Sequence, residues 1–422
     1  MSSLRGNQVR GFWAAWAGWA LDGMDSFIYA LVLFPALREL LPRSGRAPSP
    51  DNVGFYGGLL FALFLFGWGT SLLWGPVADR FGRVRTLMLT IVCYSLFTFL
   101  GAVARTVWHL AAFRLLAGVG IGGEWSMGGT FVAEEWPEDR RAQGAAWMHT
   151  GYYFGFFLAA LANATVGARL GWRAMFALGG LPAFLVAWIR HGVHEPARWE
   201  ATRGRIRQTA GGALAAIFAP ALRRRTIVSS ACLLVSIVGL WAGSVYVPAS
   251  VTFLATREGR AAAEAARLAS YGTMILSAGT ILGCLAVPPL ADRLGRRGAL
   301  AVYFAVMLVF VALAFGYVFY LPSRALFLFL VCLFFLGVGG ANFAVYTLWL
   351  PEQYPTACRA TAFAFATSIG RFAGAGITFL VGAGVARMHT IGVPVALTSV
   401  AFLIGLLLLP LATETRGHPL PA

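Results

Sequence analysis

The chain has 422 residues, of which 59% are hydrophobic and only 12% charged. Soluble globular domains run at about 45–50% apolar and about 25% charged, so a water-soluble fold of this length has nowhere to bury so much apolar surface. The net charge is +16 and all 33 basic residues are arginine; with no lysine there is no P-loop, Schiff-base or catalytic lysine, which excludes Walker-type ATP-driven pumps and retinal proteins. In a membrane chain such a positive excess reads as cytoplasmic loops facing anionic lipid, not as a nucleic-acid surface. The five cysteines lie mostly inside apolar runs and read as packing residues.

Apolar runs near 20 residues recur from end to end. They predict about twelve membrane-crossing helices, over 11–40, 53–78, 85–104, 107–135, 141–168, 172–190, 225–254, 268–291, 298–320, 324–352, 359–386 and 392–411. The first run follows Arg5 and Arg10 and is too long, and too interrupted by acids, for a cleaved signal peptide. It carries Asp22 and Asp25, i,i+3 neighbours on one helix face. Asp25 lies about 22 Å along the helix from Arg10. The second and third runs are joined by GPVADRFGR (75–83), with Asp79 and Arg83. The fourth holds Arg114, about 30 Å from the cytoplasmic end at Glu134. It also holds Glu124. Of 17 acids, only Asp22, Asp25 and Glu124 read as deep in the membrane. Charges placed there are costly and mark function, the alternative being a packing ion pair.

EEWPEDRRA (134–142) brings Glu134 and Arg141, and the fifth run brings His149, Tyr152 and Tyr153. His149, about 12 Å inside its helix, is a second titrating group or a packing histidine. The longest polar break, 191–221, holds Arg198, Arg203, Arg205 and Arg207 and divides the helices six and six. The predicted organisation is a first bundle over 1–190, a cytoplasmic linker over 191–221 that is partly helical, and a second bundle over 222–422. With both termini cytoplasmic, 20 arginines fall on cytoplasmic segments, 11 on external ones and two, Arg114 and Arg371, within helices. The positive-inside rule supports this orientation, in a cytoplasmic-type (inner) membrane. Arg371 lies about 18 Å beyond Arg359 in the eleventh run. It either holds a carboxylate in bidentate fashion or bonds helix-backbone carbonyls. Tyr29, His149, Tyr152, Tyr153, Asn342 and Tyr346 are candidates to line a polar pocket around it.

The halves repeat. PPLADRLGR (288–296), with Asp292 and Arg296, echoes GPVADRFGR at an offset of 213; EQYPTACRA (352–360), with Glu352 and Arg359, echoes EEWPEDRRA at 218. Repeated halves with a ligand at their interface are a secondary-transporter architecture. At these offsets Asp22, Asp25, Arg114 and Glu124 correspond to Val235, Val238, Cys332 and Asn342. Scaffold roles survive in both halves, whereas coupling chemistry needs to exist only once, so these four residues read as functional.

The loop G-x-x-x-D-R-x-G-R at 75–83, echoed by PPLADRLGR, and R-x-x-x-G-x-G-x-G over Arg114, Gly118, Gly120 and Gly122 resemble the signatures of the major facilitator superfamily. LDGMDSF, RLLAGVGIGGEW, AEEWPEDRRA and GWRAMF resemble, more narrowly, the sialate:proton symporters, whose members include carriers of lactate-like monocarboxylates. The Asp-Gly-x-Asp pattern is shared with the aromatic-acid:proton symporters. Some sialate carriers have two additional helices between the halves, for which 191–221 leaves no room. The resemblance implies an all-α membrane protein with twelve transmembrane helices in two pseudo-symmetric six-helix bundles. It also implies that the first-helix acid and the fourth-helix arginine form a proton-coupling pair. Burial disfavours a charged carboxylate and a nearby guanidinium favours it, so moving Arg114 switches proton affinity.

The expected function is a proton-coupled symporter that imports a small carboxylate by alternating access, working as a monomer, with no cofactor, metal or nucleic acid. Asp22, Asp25, Arg114 and Glu124 are expected to couple protons. The pairs Asp79/Arg83, Glu134/Arg141, Asp292/Arg296 and Glu352/Arg359 are expected to form cytoplasmic charge clusters that latch the outward-facing state. The alternatives are a sugar or polyol symporter, which needs no anion anchor at Arg371, and a transporter-like sensor. An enzyme is disfavoured, because HExxH, nucleophile-elbow and metal-ligand patterns are missing from the sequence.

Overall fold

An apolar run in hydrocarbon must satisfy its backbone N–H and C=O groups within itself, and the helix is the local way to do so. A computed structural model describes residues 6–206, 212–244 and 246–421. Arg5 and Arg207, counted above, lie outside them. All regular elements among the described residues are helical. In chain order they are α1 (Gly6–Arg43), α2 (Pro50–Gly69), α3 (Trp74–Phe81), α4 (Arg83–Gly101), α5 (Val107–Glu135), α6 (Arg141–Ala162), α7 (Ala168–Leu178), α8 (Pro182–Gly192), α9 (Ala197–Ile206) and α10 (Gly212–Ala216). There follow α11 (Arg223–Ser244), α12 (Val247–Arg257), α13 (Ala262–Gly316), α14 (Ala325–Gly340), α15 (Asn342–Glu352), α16 (Arg359–Met388), α17 (Gly392–Leu397) and α18 (Val400–Leu408). Each of the predicted runs is helical, several as two pieces. By length and apolarity alone, six described helices suffice to cross a membrane, or seven if the bent α1 is included.

The breaks have local causes. Ser49 caps α2 by accepting from the N–H of Asn52, with Pro50 at the first helical position, and Thr106 caps α5 by accepting from the N–H of His109. Gly82, at φ +115°, separates α3 from α4, and Gly295, at φ +78°, bends the 55-residue α13. Only glycine adopts such backbone without strain. The break at 191–221 is helical over α9 and α10.

Packing divides the chain into two compact units. One comprises Met1–Arg223, Leu350–Ser368 and Pro419–Ala422; the other comprises Arg224–Trp349 and Ile369–His418. In the first unit, α1 and α6 touch backbone to backbone. A Cβ on Gly23 would stand 2.1 Å from the Tyr152 carbonyl oxygen, and one on Gly155 1.9 Å from that of Ala20. α2 and α5 meet likewise at Gly67 and Gly118. These approaches press the Asp22/Asp25 face of α1 into the bundle, beside an apolar core that includes Ile28, Leu37, Leu60, Leu110 and Phe176. A smaller cluster of Ile217, Tyr354, Cys358 and Ala362 ties the linker to the segment Leu350–Ser368. In the second unit α13 and α14 approach in the same way, at Gly279 and Gly337.

Candidate functional site

Asp22, Asp25, Arg114 and Glu124 are all buried in the first unit. Arg114 Nη1 lies 3.8 Å from Asp25 Oδ2. The same guanidinium sits over two rings, 4.5 Å from the centroid of Tyr29 and 4.1 Å from that of Phe64. Tyr29 therefore backs the ion pair, and its hydroxyl donates to the Gly57 carbonyl at 3.2 Å. A guanidinium lying over two rings and facing one carboxylate is held by cation–π attraction and charge together. Glu124 lies about 15 Å further along α5 than Arg114. Its carboxyl rests against α1 at Gly18, where a Cβ would stand 1.9 Å from Oε1.

His149, Tyr152 and Tyr153 come together with two rings not singled out by the sequence, Trp19 and Trp125. Trp19 and Trp125 stack with centroids 5.8 Å apart; Tyr152 lies 4.7 Å from Trp19, and His149 lies 5.6 Å from Trp125. Phe363 meets Trp125 edge-on at 5.2 Å. The tryptophans were hidden because a ring inside an apolar run looks like any lipid-facing ring. Trp19 lies three residues before Asp22 and Trp125 directly follows Glu124, and that adjacency was the available signal.

Arg371, Asn342 and Tyr346 belong to the second unit and are buried. Tyr346 shares a 3.1 Å hydrogen bond with Ser236, and Asn342 Nδ2 donates to the Gly339 carbonyl at the junction of α14 and α15.

Of the expected pairs Asp79 and Arg83 meet, while Glu134 and Glu352 take other partners. Arg83 donates to both oxygens of Glu134, at 3.1 and 3.0 Å, and lies 3.1 Å from Asp79. Glu134 also takes Arg359 at 2.7 Å. Arg141 pairs with Glu138 at 3.2 Å and with Glu352 at 3.7 Å. Glu134 and Glu352 thus each face an arginine from the other sequence half, because Leu350–Ser368 packs within the first unit. Asp79 caps α16, accepting from the N–H of Thr361 at 2.9 Å, from the N–H of Ala360 at 3.3 Å and from the Thr361 hydroxyl. Asp292 is exposed, whereas its counterpart Asp79 is buried.

Two further residues escaped sequence reasoning. Glu195 accepts from the N–H groups of Arg83, Val84 and Arg85 at the start of α4, at 2.7, 3.1 and 3.1 Å. Glu414 accepts from those of Arg296 and Arg297 just after the bend of α13, at 2.9 and 3.1 Å. Burial raises the Glu195 carboxyl above its ordinary range despite these bonds. Burial acts to raise Glu414 too, but its four backbone N–H donors outweigh it and hold that carboxyl below its ordinary range.

The Major Facilitator Superfamily profile matches residues 15–378. The chain belongs to this superfamily. It is 30% identical over 427 residues to a probable 4-methylmuconolactone transporter of Cupriavidus pinatubonensis, covering 97% of this chain and 91% of that one. It is 26% identical over 333 residues to a cis,cis-muconate transport protein of Acinetobacter baylyi, covering 75% and 76%. Its fold matches that of a proton:xylose symporter of E. coli, with a TM-score of 0.80 at 19% identity and 98% of each chain covered. The protein is therefore a multi-pass, all-helical membrane transporter of the major facilitator fold, and not an enzyme.

Proposed function

We propose that this protein imports a planar, unsaturated carboxylate together with protons, as a monomer in a cytoplasmic-type membrane with both termini cytoplasmic. Two six-helix halves, 1–190 and 222–422, joined by the linker 191–221, alternate access. The observation that carries the reading is the buried Asp25–Arg114 pair, with the Trp19–Trp125–Tyr152 ring cluster in the same unit. Asp25, with Asp22, takes the proton, and release of Arg114 is the switch. Flat aromatic faces suit a flat, conjugated substrate, and the relatives named for muconolactone and muconate carry ligands of that kind. Arg371 is the group assigned to the substrate carboxylate, because a planar fork binds one in bidentate fashion. The cluster Asp79–Arg83–Glu134–Arg359, with Arg141–Glu352, latches the cytoplasmic side of the cycle and touches no substrate.

The test uses protein reconstituted in vesicles, with cis,cis-muconate and a panel of unsaturated carboxylates, each paired with its amide. Wild type should accumulate an acid uphill when the outside is acidic. Asp25→Asn should abolish accumulation while exchange continues. Arg371→Lys keeps the charge but loses the fork, so acid binding should weaken by about tenfold, or about 1.4 kcal/mol. Uphill accumulation persisting in both Asp22→Asn and Asp25→Asn sinks the coupling assignment. Equal binding of acid and amide by wild type moves the anion anchor elsewhere and favours a sugar or polyol.

A further inference from the structure

We infer that residues 419–421 form a strap, which seats beside the buried charge cluster of the first unit and holds the cytoplasmic latch shut. The strap rests on the reading of that cluster as a latch in an alternating-access cycle. It adds the element that fastens the latch.

The local sequence makes a stiff hook. Glu414 is held in the second unit by the N–H groups of Arg296 and Arg297. The chain then turns: the His418 N–H donates to the Thr415 carbonyl at 3.1 Å, with Gly417 at φ +75°. Pro419 and Pro421 follow, their rings fixing φ, and Leu420, which precedes a proline, is biased to extended backbone. Such a segment has little chain entropy left to lose on docking. It docks in the first unit, to which Pro419–Ala422 belongs.

The Leu420 side chain is buried there. Its N–H donates to Glu138 Oε1 at 3.4 Å, and its carbonyl accepts from Arg198 Nη1 at 3.4 Å. The Pro421 carbonyl accepts from Arg359 Nη2 at 2.6 Å. Glu138 pairs with Arg141 and Arg198, both at 3.2 Å, and Arg359 with Glu134 at 2.7 Å. Through its backbone the strap therefore touches both arginine–acid sets of the latch.

The internal repeat explains why Arg359 needs it. At the offset of 218, Arg359 corresponds to Arg141, Pro351 to Ala133 and Thr356 to Glu138. Each arginine donates from Nε to the carbonyl eight residues before it, Arg141 to Ala133 at 3.3 Å and Arg359 to Pro351 at 3.0 Å. Each also donates to the side chain three residues before it. For Arg141 this is a carboxylate, Glu138; for Arg359 it is a hydroxyl, Thr356, at 3.0 Å. Arg359 is fully buried, and a buried guanidinium needs its N–H groups met. The Pro421 carbonyl supplies an acceptor where the second copy lacks the acid. Unseating the strap strips that acceptor from Arg359, takes a donor from Glu138 and exposes Leu420. Contacts made in one state and lost in the other shift the equilibrium toward the first.

Native Cys358, buried with Ile217 and Tyr354 beside Arg359, reports on the latch. A second reporter is Ser71→Cys, since the buried Ser71 hydroxyl lies 2.7 Å from that of Ser368, about 13 Å along α16 from Arg359. Cys284, fully buried in the second unit, is the control. N-ethylmaleimide alkylation of the full protein in lipid nanodiscs is read peptide by peptide by mass spectrometry. Leu420→Asp and removal of residues 419–422 should each raise the rate at both reporters at least about fivefold and leave Cys284 within about twofold. Asp79→Asn, which weakens the latch itself, should also raise both reporters. A rise at Cys358 without one at Ser71→Cys makes the strap a mere cover and overturns it. So does an equal rise at Cys284, which marks general loosening. Unchanged reporters in the strap variants, with a rise in Asp79→Asn, overturn the strap and leave the latch. Unchanged reporters in Asp79→Asn as well overturn the latch reading beneath it. If one strap variant does not fold, the other decides.

Discussion

The loop GPVADRFGR and its repeat PPLADRLGR make the same turn and use it differently. In both, a glycine with positive φ leaves room for a distant glutamate to reach the backbone N–H groups beyond it: Gly82 with Glu195, Gly295 with Glu414. A Cβ would stand 2.2 Å from Glu195 Oε1 in the first copy and 2.5 Å from Glu414 Oε2 in the second. Beyond the turn the copies part. Asp79 is buried between Arg83 and the first turn of α16, while Asp292 is exposed. The repeated motif therefore has two separable parts. The glycine and its glutamate build a corner, and the aspartate becomes a latch only where a helix start and a buried arginine meet it.

The widest separation between the copies is expected at the aspartates. Asp79→Asn should slow transport about tenfold while shifting substrate affinity less than threefold, because it weakens a buried ion network without touching ligand. Asp292→Asn should leave the rate unchanged and stability within about 0.5 kcal/mol. Vesicle transport with parallel ligand binding reads both, and equal losses in the two variants would erase the distinction. Alanine at the corner glycines should bring the copies closer together. Gly82→Ala and Gly295→Ala each force positive φ on a side chain and push the glutamate off its donors, at about 1–3 kcal/mol apiece. Gly82→Ala should cost more, since its corner also positions Arg83. Melting of the detergent-purified variants tests this, and a harmless Gly295→Ala would show that only the first corner matters.

The smallest effect concerns pH. Glu414 titrates below its ordinary value of 4.5, so its contribution to stability is present above that value and fades as pH falls through the lower folded value. Glu195 titrates above 4.5, so the fold favours its protonated form; that contribution is full below 4.5 and is lost as pH rises through the raised value. At pH 7, Glu414→Gln should therefore lower the melting point more than Glu195→Gln. The difference should be at most about 1 kcal/mol because Glu414 is half-exposed and screened. It should shrink on acidification, and a reversed order at pH 7 would show the cap assignments to be mistaken.

Much of this molecule was legible from its sequence, for a local reason. A helix in hydrocarbon is demanded by a run of apolar residues alone, so the helical runs, the polar break after residue 190 and the internal repeat could be read residue by residue. The buried charges were legible for the same reason, since Asp25, Arg114 and Glu124 stand out against an apolar background wherever their helices happen to pack. Partner choice was not legible. That Glu134 takes Arg83 and Arg359 instead of Arg141, that Asp292 faces outward and that Trp19 stacks on Trp125 all depend on how each helix is rotated about its axis. That rotation is set where glycines let backbones touch, as at Gly23 with Tyr152 and Gly120 with Tyr94. Such contacts join residues far apart along the chain, 225 positions in the case of Glu134 and Arg359. Hydropathy and spacing act over a few turns of one helix, so only the packed tertiary structure decided which side chains meet.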